Sequence, residues 1–124
     1  MGLDITLTIA TEPEHVTCNH CGHTKTVDTR VVFEAHITHN VHAMAMLARV
    51  YEPIWHPWDN GVEKAKDLIP GLSKGLQRIQ RNRGEFNAVQ AWNGWGTRVQ
   101  FEEWLERLLK ACTEYPEAKV GVTR

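Results

Sequence analysis

Apolar and polar residues alternate strictly at the start of the chain, where Leu3, Ile5, Leu7 and Ile9 are separated by Asp4, Thr6, Thr8 and Ala10. A period of two predicts a strand with one buried face, and the stretch from Thr11 to Glu14, with Pro13 inside, breaks it. The period returns from about Arg30 to Thr38. There Val31, Phe33, Ala35 and Ile37 share a face, His39 continues their parity, and Val32, Glu34, His36 and Thr38 take the other side. A third, shorter alternation runs from Ala118 to Thr123. Between the second and third alternations the period lengthens. Val41, Met44, Ala45, Leu47, Ala48 and Tyr51 predict a helix that Asn40 caps and Pro53 ends. A loop from Ile54 to Gly61 leads into a second helix carrying Val62, Ala65, Leu68, Ile69, Leu72, Leu76 and Ile79, which Pro70-Gly71 should kink or divide. Residues 86–96 look irregular and end in the turn-rich Asn93-Gly94-Trp95-Gly96. Thr97 and Gln100 then have capping-box spacing, and Phe101, Trp104, Leu105, Leu108, Leu109 and Cys112 give the last helix its core face.

The order is β-β-α-α-α-β, which predicts an α+β fold: a small three-stranded sheet, antiparallel or mixed, with helices packed on one face. A chain of 124 residues fits one domain, residues 1–124. Residues 11–29 then form a long connection between the first two strands, too long for a bare loop in a compact domain.

That connection contains Cys18-Asn19-His20-Cys21-Gly22-His23. Two thiolates at C-x-x-C spacing can chelate one metal ion, and the following glycine lets the backbone turn behind the second sulfur. The spacing predicts a structural zinc knuckle inserted between the strands. One such pair is half of a tetrahedral site, and His15 and His23 flank it closely enough to supply the other half. His36 and His39 are further candidates, too far along a straight hairpin at about 3.3 Å per residue unless the connection folds back over the sheet. Three cysteines, two of them in this motif, fit a reducing compartment. The start of the chain lacks a signal-peptide pattern and no apolar run approaches the roughly 20 residues of a membrane span, so a cytoplasmic protein without membrane contact is expected.

With 42% hydrophobic residues and a net charge of -1, the chain has no global attraction to nucleic acid. Lys74, Arg78, Arg81 and Arg83 are the local exception, a solvated helix face or a nucleic-acid patch. Thr38-His39-Asn40 sits where a strand hands over to a helix, and His39 could be a core residue, a pocket residue, a metal ligand or a general base. Trp55, Trp58, Trp92 and Trp95 fall in predicted loops, where most should seal the loops onto the core. Trp95 and Asn93, flanked by glycine, are the candidates for a binding surface.

Several blocks together carry a resemblance. These are Ala35-His36-Ile37-Thr38-His39-Asn40-Val41, Tyr51-Glu52-Pro53-Ile54-Trp55-His56-Pro57, Lys66-Asp67-Leu68-Ile69-Pro70, Asn93-Gly94-Trp95-Gly96 and the Val-Gly-Val-Thr-Arg ending. Over roughly residues 31–124 the chain resembles a family of small uncharacterised bacteriophage and bacterial proteins. Those have a strand ending N-I-T-H-N, a middle L-W-x-P loop and a late N-G-W-G turn. Here His36 stands where that family has asparagine, and His56-Pro57 where it has R-P. The resemblance implies a phage or prophage origin and no mechanism. It also implies that the Thr38–Asn40 and Asn93–Gly96 blocks belong to the shared core, with the cysteine knuckle an elaboration.

Three functions fit these residues. The first is a phage-type accessory protein with a structural zinc, which binds a protein partner or small ligand through His39, Asn40, Asn93 and Trp95. The second is a zinc-dependent hydrolase or nuclease, in which Cys18, Cys21 and one histidine leave a metal position open for water; Glu14 and Asp28 are its candidate bases. The third is a nucleic-acid-binding module using the basic run. No catalytic triad order, phosphate-binding glycine loop or H-E-x-x-H pattern is present.

Overall fold

The strand with the cleanest alternation, β1 (Gly2–Ala10), is the middle of a three-stranded antiparallel sheet ordered β2-β1-β3, with β2 at Thr29–Thr38 and β3 at Lys119–Thr123. The computed structural model describes residues 2–10, 29–90 and 94–124. After β2 come a 3-10 turn (His39–Val41), α1 (His42–Leu47), α2 (Tyr51–Trp55), a second 3-10 turn (Trp58–Asn60), α3 (Ala65–Arg81), α4 (Arg83–Val89) and α5 (Arg98–Glu114). Leu3, Ile5 and Leu7 are fully buried on the inner face of the sheet, in one cluster with Leu68, Leu72 and Ile79 of α3 and Phe101, Leu105 and Leu108 of α5. At about 1.5–3 kcal/mol for each such side chain, this layer of helices on a sheet is the main source of stability. Asp4, Glu34 and His36 lie exposed on the opposite face. Among the described residues no helix is long and apolar enough to cross a membrane.

The second alternation does not survive whole. Leu7 pairs with Phe33 but Thr8 pairs with Val31, so Val32 is the extra residue of a β-bulge. The bulge reverses the parity beyond it. Val31 is therefore 52% exposed, whereas Val32 packs against the core.

The helix expected from Val41 to Pro53 is two helices. Asn40 does not cap it; Asn40 sits inside the 3-10 turn, and its N–H donates to Thr38 Oγ1 at 3.4 Å. α1 closes after Leu47 in a Schellman arrangement, with Val50 N–H on the Ala45 carbonyl at 3.0 Å and Arg49 N–H on that of Met46 at 3.1 Å. Arg49 holds φ at 61°, the left-handed conformation that glycine normally supplies there. Pro53 does not end a helix, because at the third position of α2 no intrahelical bond needs its missing N–H. Arg49→Gly should therefore stabilise the protein by about 0.5–1 kcal/mol, read as a raised urea midpoint at unchanged slope. A lowered midpoint would mean that the arginine side chain contributes more than its backbone costs.

Pro70-Gly71 does not divide the second long helix, which runs unbroken as α3. Pro70 removes a single bond near the helix start, and the carbonyl it leaves, on exposed Lys66, is open to water. The first donors of α3 find acceptors elsewhere: Ala65 N–H bonds the Ala118 carbonyl at 2.8 Å and Lys66 N–H that of Pro116 at 2.9 Å. Asp67 accepts from the backbone N–H groups of Lys64 and Glu63, both at 3.1 Å, which holds its carboxyl below the usual carboxylate range. α4 forms over residues 83–89, partly within the stretch that looks irregular in the sequence, and is anchored by the buried Phe86. The capping box forms as expected: Gln100 N–H donates to Thr97 Oγ1 at 3.3 Å, and Gln100 Oε1 accepts from Thr97 N–H at 3.1 Å.

Candidate functional site

Two blocks singled out in the sequence meet in space. Gly96, at φ 75°, lies so close to the strand end that a Cβ built on it would stand 2.7 Å from Thr38 Cγ2, 2.9 Å from Val41 Cγ1 and 3.5 Å from Asn40 Cβ. Gln100 Oε1 reaches back to Gly96 N–H at 2.9 Å, so the cap of α5 also holds the turn in place. Charge and amide contacts tie α4 to the first turns of α5. Glu102, only 13% exposed, accepts from Arg98 at 3.3 Å and Arg83 at 3.5 Å, and Arg98 also donates to Asn87 Oδ1 at 2.8 Å.

This junction is one end of a groove of about 380 Å³, lined by His36, Ile37 and Thr38 of β2 and by Gln100, Glu103, Trp104 and Arg107 of α5, with Gly96 at the corner. Its volume falls within the range of small-molecule sites. Glu103 and Arg107 have no ion-pair partner among the described residues. Trp104 is 2% exposed, and its indole N–H has no hydrogen-bond partner among the described residues. An unmet buried donor costs about 1–3 kcal/mol. His36 Nδ1 is 2.7 Å from Asp4 Oδ1 on the outer face of the sheet, which orients its ring at the rim.

The predicted site residues are placed as follows. His39 is exposed and is not a core residue, because the chain leaves the extended conformation at that position and the strand parity no longer applies. Its ring lies 5.6 Å from that of His42, which stands edge-on to Tyr51 at 4.4 Å, and Tyr51 stacks on Trp55 at 5.1 Å. Asn40 is exposed beside Gly96, and Trp95 is 72% exposed on the turn itself. Of the tryptophans expected to seal loops, Trp55 is buried, though in α2 and not in a loop, while Trp58 is 61% exposed. Asn93, and the knuckle residues His15, Cys18, Cys21 and His23, lie outside the described residues. Among the described residues no group of three or more His, Cys, Asp or Glu could hold a metal ion. Cys112 is a core thiol, and burial pushes its pKa up to about 12, so it is no nucleophile at neutral pH.

The basic run is not one surface. Arg78 donates to the Ala48 carbonyl at 2.8 Å and Arg83 pairs with Glu102, while Lys74 and Arg81 are exposed. A second hollow of about 460 Å³, beside Trp58, is larger than the groove, but Lys64 and Glu117 in its wall are already paired at 2.7 Å. The groove residues His36, Glu103, Trp104 and Arg107 were missed as site residues. Trp104 has the spacing of a core residue, and Glu103 and Arg107 have that of a solvated helix face. Only Gln100 carried a signal, through its capping spacing.

Compared with known proteins, the chain matches no family model, no curated protein and no solved structure.

Proposed function

We propose that the chain is a binding protein that holds a partner segment or small ligand in the groove between the end of β2 and α5. The observation that carries this reading is that one groove is lined by Trp104, whose buried indole N–H has no hydrogen-bond partner among the described residues, and by Glu103 and Arg107, which have no ion-pair partner among them. A buried donor without an acceptor costs stability, and Glu103 and Arg107, both exposed, stand free to pair with opposite charges on a ligand. His39, Asn40 and Trp95 lie around the Gly96 corner and would extend the contact surface. In this reading the protein is a small phage-type accessory protein working in the host cytoplasm. A structural zinc on Cys18 and Cys21, completed by His15 and His23, would order the connection between β1 and β2.

Fragment screening by amide and indole NMR tests the groove. Fragments should move the Trp104 indole resonance, assigned with Trp104→Phe, together with the amides of Gln100 and Arg107. Shifts gathered around Trp58 and Lys64 instead would defeat the proposal. Elemental analysis of untagged protein should find one zinc per chain, lost in Cys18→Ser, with two sulfur and two nitrogen neighbours by absorption spectroscopy. Metal-free protein would remove the zinc from this account. A site with an exchangeable oxygen would move it towards the hydrolase reading.

A further inference from the structure

We propose that the outer edge of β2 docks an extended peptide, which adds as a fourth strand in the trough between β2 and α5 and carries an acidic side chain at its centre. This rests on the groove reading above and names the class of ligand it takes.

The two edges of the sheet are treated differently. On the β3 side, Val120 N–H bonds the Glu63 carbonyl at 3.0 Å and Lys64 bridges to Lys119, so the chain before α3 covers that edge. On the β2 side, the strand is last in the order, and its outward main-chain groups have no backbone partner among the described residues. An edge of unpaired N–H and C=O groups is a template for another strand.

The groove continues along this edge. A smaller hollow, of about 260 Å³, is lined by Phe33 of β2 and by Arg107, Lys110, Ala111 and Glu114 of α5, and Arg107 is common to it and the groove. As β2 advances from Phe33 to Thr38, the facing helix recedes from Glu114 to Gln100. α5 therefore runs antiparallel to β2 and forms one wall along several residues of the strand. Strand addition of this kind takes its affinity from main-chain hydrogen bonds and its selectivity from the side chains of the wall. The middle of the wall is basic. Arg107 and Lys110 are exposed and have no ion-pair partner among the described residues, while Glu103 and Glu114 stand towards the ends. That distribution fits a peptide with a carboxylate at its centre.

The test selects binders to the full chain from a random linear-peptide library and measures them as synthetic peptides by calorimetry. Binders should share a central Asp or Glu and weaken about tenfold against Arg107→Glu, with circular dichroism confirming that this surface variant is folded and Arg107→Lys retaining most of the affinity. Backbone N-methylation, scanned along the peptide, should abolish binding at every second position, because alternate N–H groups of a strand face its partner. Loss on Arg107→Glu with N-methylation tolerated throughout would overturn strand addition and leave the groove reading standing. Binding indifferent to Arg107→Glu would overturn both. A library without binders, or a sedimentation result showing two chains paired through β2, would overturn the peptide proposal.

Discussion

Gly96→Ala should cost about 2–4 kcal/mol of stability and abolish binding in the groove. Two penalties add at this position. The left-handed φ of 75° costs an L side chain about 1 kcal/mol. The new Cβ would also press on Thr38 Cγ2 and Val41 Cγ1 at 2.7 and 2.9 Å. Neither contact is with the free end of a long side chain. Val41 is fully buried, and Thr38 is the last residue of β2 and accepts the N–H of Asn40. Relief therefore means moving the 3-10 turn or lifting the Gly94–Gly96 turn, and either opens the corner of the groove. Gly94 is the internal control. It has nearly the same φ, 77°, but nothing within 4 Å of a built Cβ, so Gly94→Ala should show the backbone penalty alone. Urea denaturation of the two variants separates the terms. Equal losses would mean that the turn gives way easily and that the two blocks are not held together as described.

The layer architecture was legible because alternation and helical spacing report burial directly. Leu3, Ile5 and Leu7, and the stripe from Phe101 to Cys112, face the core as their periods require. What escaped was local. Nothing in Val31-Val32-Phe33 marks which residue the bulge extrudes, since all three are apolar and register is set by the partner strand. Arg49 conceals a helix end, because the usual signal is glycine and the arginine pays the conformational cost in its place. Pro53 and Pro70 look like breakers in the sequence, but Pro53 stands in the first turn of α2, where a missing N–H matters little, and Pro70 costs α3 a single bond.

The site was half legible for a related reason. Gly96 and the Thr38–Asn40 block stood out because unusual backbone demands leave glycine, threonine and asparagine in the sequence. The groove between them is made of residues whose spacing states another role. Trp104 belongs to the core stripe and is buried with it; only the absence of an acceptor for its N–H among the described residues distinguishes it, and that is a property of the neighbours. Glu103 and Arg107 sit at i,i+4 like any supporting surface pair, yet they do not pair in the structure.

Gly75→Ala should destabilise the protein by about 1–3 kcal/mol, against the gain of about 1 kcal/mol that helix propensity alone would give. Gly75 is buried in the middle of α3, and a Cβ there would stand 2.5 Å from Val50 Cγ1. Val50 is fully buried and closes the Schellman turn through the Ala45 carbonyl, so its side chain has no room to retreat. Arg78, one helical turn further along α3, donates to the carbonyl of Ala48 in the same turn. Together these contacts seat the α1–α2 junction on α3 and so set the direction in which α2 leaves with Tyr51 and Trp55. The cycle with Val50→Ala decides whether that account is right. Val50→Ala removes the obstructing methyl and leaves a void that the Gly75→Ala methyl partly fills, so in that background the second substitution should be neutral or stabilising. A coupling of at least about 1.5 kcal/mol is expected from thermal or urea melts of the four proteins. Additive losses would mean that α3 and the junction approach less closely than the missing side chain of Gly75 implies, and that the orientation of α2 is set elsewhere.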